Sequence, residues 1–464
     1  MKEFNYNHWL RITDGIEKYI LVKGDNHFTK NGINFSVAFA RFIYFIMRSK
    51  TQIRDIIKNA ISTNNCKVKI ELNNDTVREI LIYMYPNIHF EFTPNLVDKN
   101  IDSNLDLEIN GMKHYKYVFL IPHAKFIRYF SNIINKMDDC CCILLNLDYD
   151  AVELCKSYDF KYVSVNYKYI DNNVHFDIDT LWTDFRINLE IVKQIKPYKI
   201  IVPEGNLHSG EIYNLIGKTL NVECICIQQG WSPVYHVGFR NMHYDKFLTW
   251  GNKFSQLLLP YNPKQKFIAT GSHILEAIDK TMTKSSNVGV FLQHYSASVM
   301  FGENEYFELL ECAYTFAKKN ADIGVIIRQH PGHNIEESIE IRLKKLGNVK
   351  FMHPEHYTLN EVLQQIQVSV AIHSTVLLES LAYDIIPVIF NNTAMPHYEP
   401  NLAKENVAIE VKNIEQALDN LERLFNDAEC MKYYSDNINT TKSEYFLDYS
   451  DNAIRYILNE IEVL

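Results

Sequence analysis

From about residue 114 the chain alternates short apolar runs with longer amphipathic stretches. Tyr117-Val-Phe-Leu-Ile121 is a continuous apolar run of strand length, followed by Pro122-His123 and a helical pattern through Met137. Cys141–Leu147, Lys161–Val165, Lys199–Val202, Cys224–Ile227, Asp245–Trp250 and Lys266–Ala269 read as further strands. Helices are predicted between them at Ala151–Ser157, Thr180–Lys196 and Ser209–Leu220. Strands that are apolar along their whole length are buried on both faces. The pattern therefore predicts a parallel sheet covered by helices on both sides.

Ser272–Asn287 reads as a linker, and a second set of units follows it. Strands are predicted at Val288–Leu292, Gly324–Ile327, Val349–Met352, Val368–Ile372 and Ile386–Phe390. Helices are predicted at Glu305–Asn320, Glu336–Leu346, Thr358–Ile366, Val376–Tyr383, Ile414–Phe425 and Tyr449–Glu460. Before residue 110 the pattern is mixed. It has a helical run at Phe35–Ile61, a strand at Lys67–Leu72, a helix at Thr76–Tyr85 and a polar boundary loop at Asn95–Asn110. The expected organisation is α/β: an N-terminal extension (1–110), two facing Rossmann-like domains (111–275 and 276–440) and a C-terminal helix (441–464).

Composition narrows the function classes. With 47% apolar and 22% charged residues in 464, the chain is globular. Its 47 Lys and Arg against 56 Asp and Glu give a net charge of −9, which argues against a nucleic-acid partner. The nine cysteines contain no C-x-x-C pair, and they read as small buried hydrophobes in a reducing compartment. Met1–Leu10 is polar, and the apolar run Phe35–Met47 is short and interrupted by Arg41. The expectation is a cytoplasmic protein, with peripheral attachment at the inner membrane face compatible through an exposed helix such as Phe35–Ile61.

Ligands of open parallel sheets bind beyond the carboxyl ends of the strands. In the first half those loops carry His123, Glu204 with His208, and Gln229-Gly230-Trp231. In the second half they carry Gln293-His294, Arg328 with His330, and His373-Ser374-Thr375 with Glu379. Arg328 and His330 occupy alternate positions, so both are expected on one side, suited to a phosphate. Ser374 and Thr375 stand where a helix begins, and their hydroxyls and the N–H groups there suit a phosphate as well as a simple cap. Glu379 lies one turn further and can accept hydrogen bonds from ribose hydroxyls. Glu204 follows a buried strand and precedes a helix. A carboxylate there can act as general base or as nucleophile, with His208 and His123 as second candidates.

The order strand–Arg328-x-His330-Pro331, then strand–His373-Ser-Thr-x-x-x-Glu379–helix–Pro387-Val-Ile389, resembles the donor half of GT-B glycosyltransferases. It is similar to bacterial capsule and surface-polysaccharide transferases, including the Kdo transferases, and to the teichoic-acid polyol-phosphate transferases. The resemblance extends back through Val202–Gly205, Cys226–Gly230 and Thr249–Gly251 to Ala269–Ser272. Many relatives carry Gln-His-Gly where this chain has Gln228-Gln229-Gly230. The resemblance implies a nucleotide-sugar donor held by Arg328, His330, Ser374, Thr375, Glu379, Gln293 and His294, with Gln229, Gly230 and Trp231 in the cleft on the acceptor side. It implies catalysis by Glu204, His208 or His123, no obligatory metal and no cofactor. The acceptor would be a glycan or lipid-linked glycan. A CMP-activated acidic sugar, Kdo or a nonulosonate, is the donor it points to first. A CDP-glycerol or CDP-ribitol phosphotransferase, a non-hydrolysing sugar-nucleotide 2-epimerase and a non-catalytic nucleotide- or glycan-binding scaffold are the alternatives.

Three other patterns are set aside. Gly217-Lys-Thr219 lacks the preceding glycine of a phosphate loop and lies in a helical stretch. Asp148-Tyr-Asp150 and Asp177-Ile-Asp179 have D-x-D spacing, of which Asp148 alone ends a strand. His330-Pro-Gly-His333 and His353-Pro-Glu-His356 lack matching partners for a zinc site.

Overall fold

The computed structural model describes residues 2–93, 105–108, 114–145, 149–167, 177–231, 236–276, 285–293, 295, 302–333, 335–392 and 399–462. It divides into two compact units. One holds Asn7–Trp250, Ser255–Thr270 and Ile454–Leu464. The other holds Gly271–Ala453 with two short pieces, Met1–Tyr6 and Gly251–Phe254.

The first unit is built on an eight-stranded sheet. Its order is Phe267–Ala269, Lys246–Thr249, Glu223–Ile227, Lys199–Pro203, Tyr117–Ile121, Cys140–Leu145, Tyr162–Tyr167 and Leu105–Glu108. All neighbours pair in parallel except the last pair, Leu105–Glu108 against Tyr162–Tyr167. Among the parallel strands, the chain lays down Tyr117–Ile121 first and grows outward on one side. It then crosses back to place Lys199–Pro203 on the other, so the order reverses between these two strands. Val118–Leu120 and Ile200–Val202 are fully buried, which is why both strands read as unbroken apolar runs.

The second unit repeats the plan with six parallel strands: Val349–Phe351, Gly324–Arg328, Asn287–Phe291, Val368–Ala371, Ile386–Phe390 and Ile409–Val411. Here the order reverses between Asn287–Phe291 and Val368–Ala371. Both sheets are thus doubly wound, as the strand-loop-helix rhythm predicts.

Several elements differ from expectation. The helical run at Phe35–Ile61 is two helices, Ser36–Ser49 and Thr51–Ser62. Ser49 Oγ donates to Ile46 O at 2.8 Å, a local bond that competes with the helix ladder just before the break at Lys50. Within the expected loop Asn95–Asn110, Leu105–Glu108 is an edge strand, and its apolar-acidic alternation supplies the period of two. A helix at Ala428–Tyr445 was not foreseen. Its polar sequence hides it, although Asp427 caps it by accepting from Glu429 N and Cys430 N.

From Asn7 onward, the described residues before 93 group with the first unit. Phe35 packs edge-on against Phe185 at 5.8 Å, and Glu17 pairs with Arg240 at 2.9 Å. The final helix, Ser450–Glu462, has its last residues in the first unit. There Lys246 Nζ lies 3.3 Å from Glu460. All nine cysteines are free thiols, and most are buried. No helix among the described residues is long and apolar enough to cross a membrane.

Candidate functional site

At the reversal point of the first sheet, the loops after Tyr117–Ile121 and Lys199–Pro203 emerge side by side. The first carries exposed His123, whose Nδ1 accepts from Lys125 N at 3.3 Å where the next helix begins. The second carries Glu204. Lys125 Nζ joins the two loops, 3.7 Å from Glu204 Oε1. Glu204 has φ +66°, in the left-handed region, and Gly205 follows at φ +86°. A side chain at Gly205 would strike the Phe247 ring at 2.6 Å, so the sharp turn presenting Glu204 needs glycine. Burial raises the Glu204 carboxyl above its ordinary range, and Lys125 opposes that rise.

His208 opens the helix His208–Leu220, with its ring 4.8 Å from Phe42 in an edge contact. Beneath it sits an ion pair that the sequence reading missed. Arg41, fully buried, donates from Nη1 to Tyr244 Oη at 2.7 Å and lies 3.2 Å from Glu211 Oε2. It also reaches Leu207 O at 3.5 Å, the residue just before His208. Glu211 meets His243 Nε2 at 2.9 Å through its other oxygen. Burial works against ionisation of Glu211, but Arg41 and His243 prevail and hold it below its usual range. Burial and then Arg41 push His208 down to about 4, so its imidazole is neutral at pH 7. The signal for Arg41 was present as the one charge in an otherwise apolar run, read only as an obstacle to membrane spanning.

Gln228 is the second residue missed. Its side chain accepts from Trp250 N at 3.0 Å and donates to Gly230 O at 2.9 Å, while its carbonyl accepts from Trp250 Nε1 at 3.1 Å. This fixes the Gln228–Trp231 turn. Trp231 is buried, and the Gln229 side-chain oxygen is buried with no hydrogen-bond partner among the described residues.

At the reversal point of the second sheet, Gln293 and His373 lock the two loops together. His373 N donates to Gln293 Oε1 at 2.9 Å, and Gln293 Nε2 donates to His373 O. Ser374 then caps the helix Thr375–Ala382, its hydroxyl accepting from Val376 N at 3.3 Å. The first turn of that helix holds no acidic residue. Glu379 projects one turn further and is 6% exposed. It has no hydrogen bond or ion pair among the described residues, and burial lifts it to about 7.

The structure thus brings Gln293, His373, Ser374, Thr375 and Glu379 to one end of the sheet. Arg328 and His330, expected together on one side, are each engaged by nearby backbone groups. Arg328 Nη1 donates to Tyr357 O at 2.9 Å and approaches Met352 O at 3.4 Å, across the outer neighbouring strand. His330 is exposed, and its Nδ1 accepts from Gly332 N at 3.0 Å within its own turn. Backbone carbonyls and a turn amide compete successfully for these two side chains. His294 and Asp148 lie outside the described residues. Asp177 caps its helix through Thr180 N, and Asp179 pairs with Lys30. Gly217-Lys-Thr219 is the last turn of a helix. His353 meets Glu340 at 3.1 Å, and no cluster of three metal-ligating side chains occurs among the described residues.

No family model matches this sequence, and no curated protein matches it. Solved structures do. The chain is similar to UDP-GlcNAc 2-epimerase from Neisseria meningitidis bound to UDP-GlcNAc, at TM-score 0.54 and 11% identity, over 74% of this chain and 98% of that one. It is also similar to a Listeria monocytogenes chain assigned as a UDP-N-acetylglucosamine 2-epimerase, at TM-score 0.51 and 10% identity, over 76% of this chain and 99% of that one. At such identities the likeness carries the fold alone, two parallel-sheet α/β domains of the GT-B type.

Proposed function

We propose that this chain is a nucleotide-sugar enzyme, a glycosyltransferase that moves a sugar from a nucleotide-activated donor to a glycan or lipid-linked glycan. The observation that carries this is the end of the second sheet. There the Gln293–His373 lock, the Ser374-capped helix and the buried, unpaired Glu379 meet where the strand order reverses. Open α/β sheets bind nucleotides at such points. A helix start without acidic residues suits a phosphate, and an unpaired carboxylate suits two ribose hydroxyls. Arg328 supports this site indirectly, by tying down the loop at Met352–Tyr357.

In this reading the first unit receives the acceptor. Glu204, with its carboxyl raised by burial, takes the acceptor proton, and His208, neutral at pH 7, is the second base. The free N–H groups at the start of the helix Thr375–Ala382 stabilise the departing phosphate. The resemblance to Kdo and teichoic-acid transferases suggests CMP or CDP donors, and the architecture suits UDP and GDP equally.

Thermal shifts with CMP, CDP, UDP and GDP test the nucleotide site. At least one is expected to raise the melting temperature, and Glu379→Gln is expected to reduce that rise. No shift with any of them removes the assignment. Product analysis then separates the chemistry, because a 2-epimerase converts its donor with no acceptor present, whereas a transferase requires one.

A further inference from the structure

The helix Ser36–Ser49 sets two consecutive residues against the start of the helix His208–Leu220. The Phe42 ring meets the His208 ring edge-on at 4.8 Å. Arg41 Nη1 lies 3.2 Å from Glu211 Oε2, in the first turn of that helix, and 3.5 Å from Leu207 O. Tyr244 Oη accepts from the same Nη1 at 2.7 Å. Tyr244 is held in turn by Gln265, which accepts from Tyr244 N at 2.9 Å and donates to Tyr244 O at 3.0 Å. A Cβ at Gly210 would stand 3.2 Å from Tyr244 Oη, so the glycine gives the phenol room against the first turn. The His208 side chain that these groups hold is only half-buried.

Stability alone does not account for this arginine. Its Nε and Nη2 are buried with no hydrogen-bond partner among the described residues. Buried donors in that state are costly. A buried ion pair is often no more stable than apolar residues of like volume. Glu211 also has a second partner, His243 Nε2 at 2.9 Å, and a helix start favours a carboxylate in its first turn. What apolar residues would lack is a fixed positive charge against the first turn of the His208 helix. The other charged or titratable groups on the surrounding elements are Glu204 with Lys125, Glu211 with His243 and Lys218, His236 with Arg48, and Tyr244 and Cys226. Glu211 is shared between Arg41 and His243, and burial keeps Tyr244 and Cys226 neutral. Burial and Arg41 both act against an imidazolium at His208.

We propose that Arg41 is a positioning residue that keeps His208 an uncharged hydrogen-bonding group, which leaves Glu204 as the proton acceptor of the first unit. This rests on the transferase reading and ranks its two candidate bases. A proton taken up by His208 would set two like charges close together in a poorly solvated place. The neutral ring still makes a hydrogen bond to an acceptor hydroxyl and orients it. Glu204 meets the opposite situation, because burial favours its protonated form and Lys125 alone opposes it. The hydroxyl proton then passes to Glu204 as the hydroxyl oxygen bonds to the sugar, and the donor phosphate leaves with the electron pair of the broken bond.

The test follows the imidazole signals of the full-length protein, carrying 13C-labelled histidine, by NMR across pH. The His208 signal is the one lost in His208→Gln. In wild type it is expected to hold its neutral position down to about pH 5. The double variant Arg41→Met with Glu211→Leu removes the pair without stranding a charge, and its His208 midpoint is expected about one unit higher. Arg41→Lys, which keeps the charge, is expected to follow wild type. A wild-type midpoint at or above about pH 6 overturns the proposal, and so does a double variant that titrates like wild type. Turnover then ranks the bases. Glu204→Gln is expected to lose about 10²-fold or more, whereas His208→Gln, whose amide still hydrogen-bonds, is expected to lose less than tenfold. Equal losses make His208 a base and overturn the ranking. If no donor is turned over, the transferase reading fails by itself, and the NMR titration still decides what Arg41 does to His208.

Discussion

The two reversal points share a topology and differ in chemistry. In the first unit the loop ends hold Glu204 beside Lys125, and His208 above the buried Arg41–Glu211 pair with half-buried His243. In the second they hold a side-chain amide clamped to a backbone, a hydroxyl cap and one carboxyl without a partner. The first is dense in titratable groups whose proton affinities are pulled in opposite directions, Glu204 up and His208 down. The second holds fewer charges among the described residues, and hydrogen bonds join its two loops. In the proposed reading, one fold serves once for moving protons and once for holding a ligand. Fold likeness alone cannot tell the two apart, and the side chains at the strand ends can.

The hardest blow to this contrast comes from Glu204→Gln. It removes the proton acceptor from the first unit and leaves the second untouched. Turnover is expected to fall about 10²- to 10⁴-fold, while nucleotide affinity stays within twofold by titration. If turnover is unchanged, the first unit is not the proton-transferring half. If affinity falls in parallel, the division of labour is wrong.

Arg41→Met probes the buried charges. Breaking a buried ion pair from one side strands the other charge, and unfolding in urea is expected to show a loss of about 3–5 kcal/mol. Replacing Arg41 and Glu211 together by apolar residues is expected to recover most of that loss, because no charge is then left without its partner. A small effect from Arg41→Met alone would mean that Tyr244 and His243 already satisfy Glu211's surroundings.

Glu379 gives the second unit its own pH signature. Its carboxyl sits at about 7 instead of 4.5 because it is buried. The native state therefore binds this proton more tightly than the unfolded chain does. Its contribution to stability is greatest below pH 4.5 and falls by about 3 kcal/mol as pH rises to 7. Glu379→Gln has no such titration, so the variant is expected to gain on wild type by about that amount between pH 4 and pH 8, read from paired urea melts. Asp184, buried and raised to about 8, titrates in both proteins and cancels in the difference. Bound nucleotide is expected to lower the Glu379 pKa, so affinity near pH 6 rises with pH. A pH-independent affinity would separate Glu379 from the ligand.

Much of this contrast was legible in the sequence. Both sheets came from unbroken apolar runs, since strands buried on both faces leave no polar alternation to misread. The loops holding Glu204, Ser374 and Glu379 followed from strand ends. What could not be read was the direction of flexible side chains. Arg328 and His330 alternate as phosphate ligands would, yet backbone groups closer at hand take them both. Arg41 stood out as the one charge in its apolar run, but its role was unreadable for the opposite reason. Its partners Glu211 and Tyr244 are 170 and 203 residues away, and no local pattern reports a contact of that separation.

The smallest expected effect decides the oldest ambiguity. Ser374 sits where a helix begins, and its hydroxyl accepts from Val376 N at 3.3 Å. An ordinary cap accounts for that contact fully, and Ser374→Ala is expected to cost about 1 kcal/mol of stability on that basis. A cap that also meets a phosphate costs more in the complex than in the free protein. The variant is therefore to be unfolded twice, with and without saturating nucleotide. If both give the same loss, Ser374 is a cap and the phosphate must rest on Thr375 and the helix N–H groups alone. If the loss grows by about 1 kcal/mol with nucleotide present, the hydroxyl reaches the ligand, a magnitude suited to one hydrogen bond to a charged group. That increment, absent from any variant in the first unit, would mark the second reversal point as the one that binds.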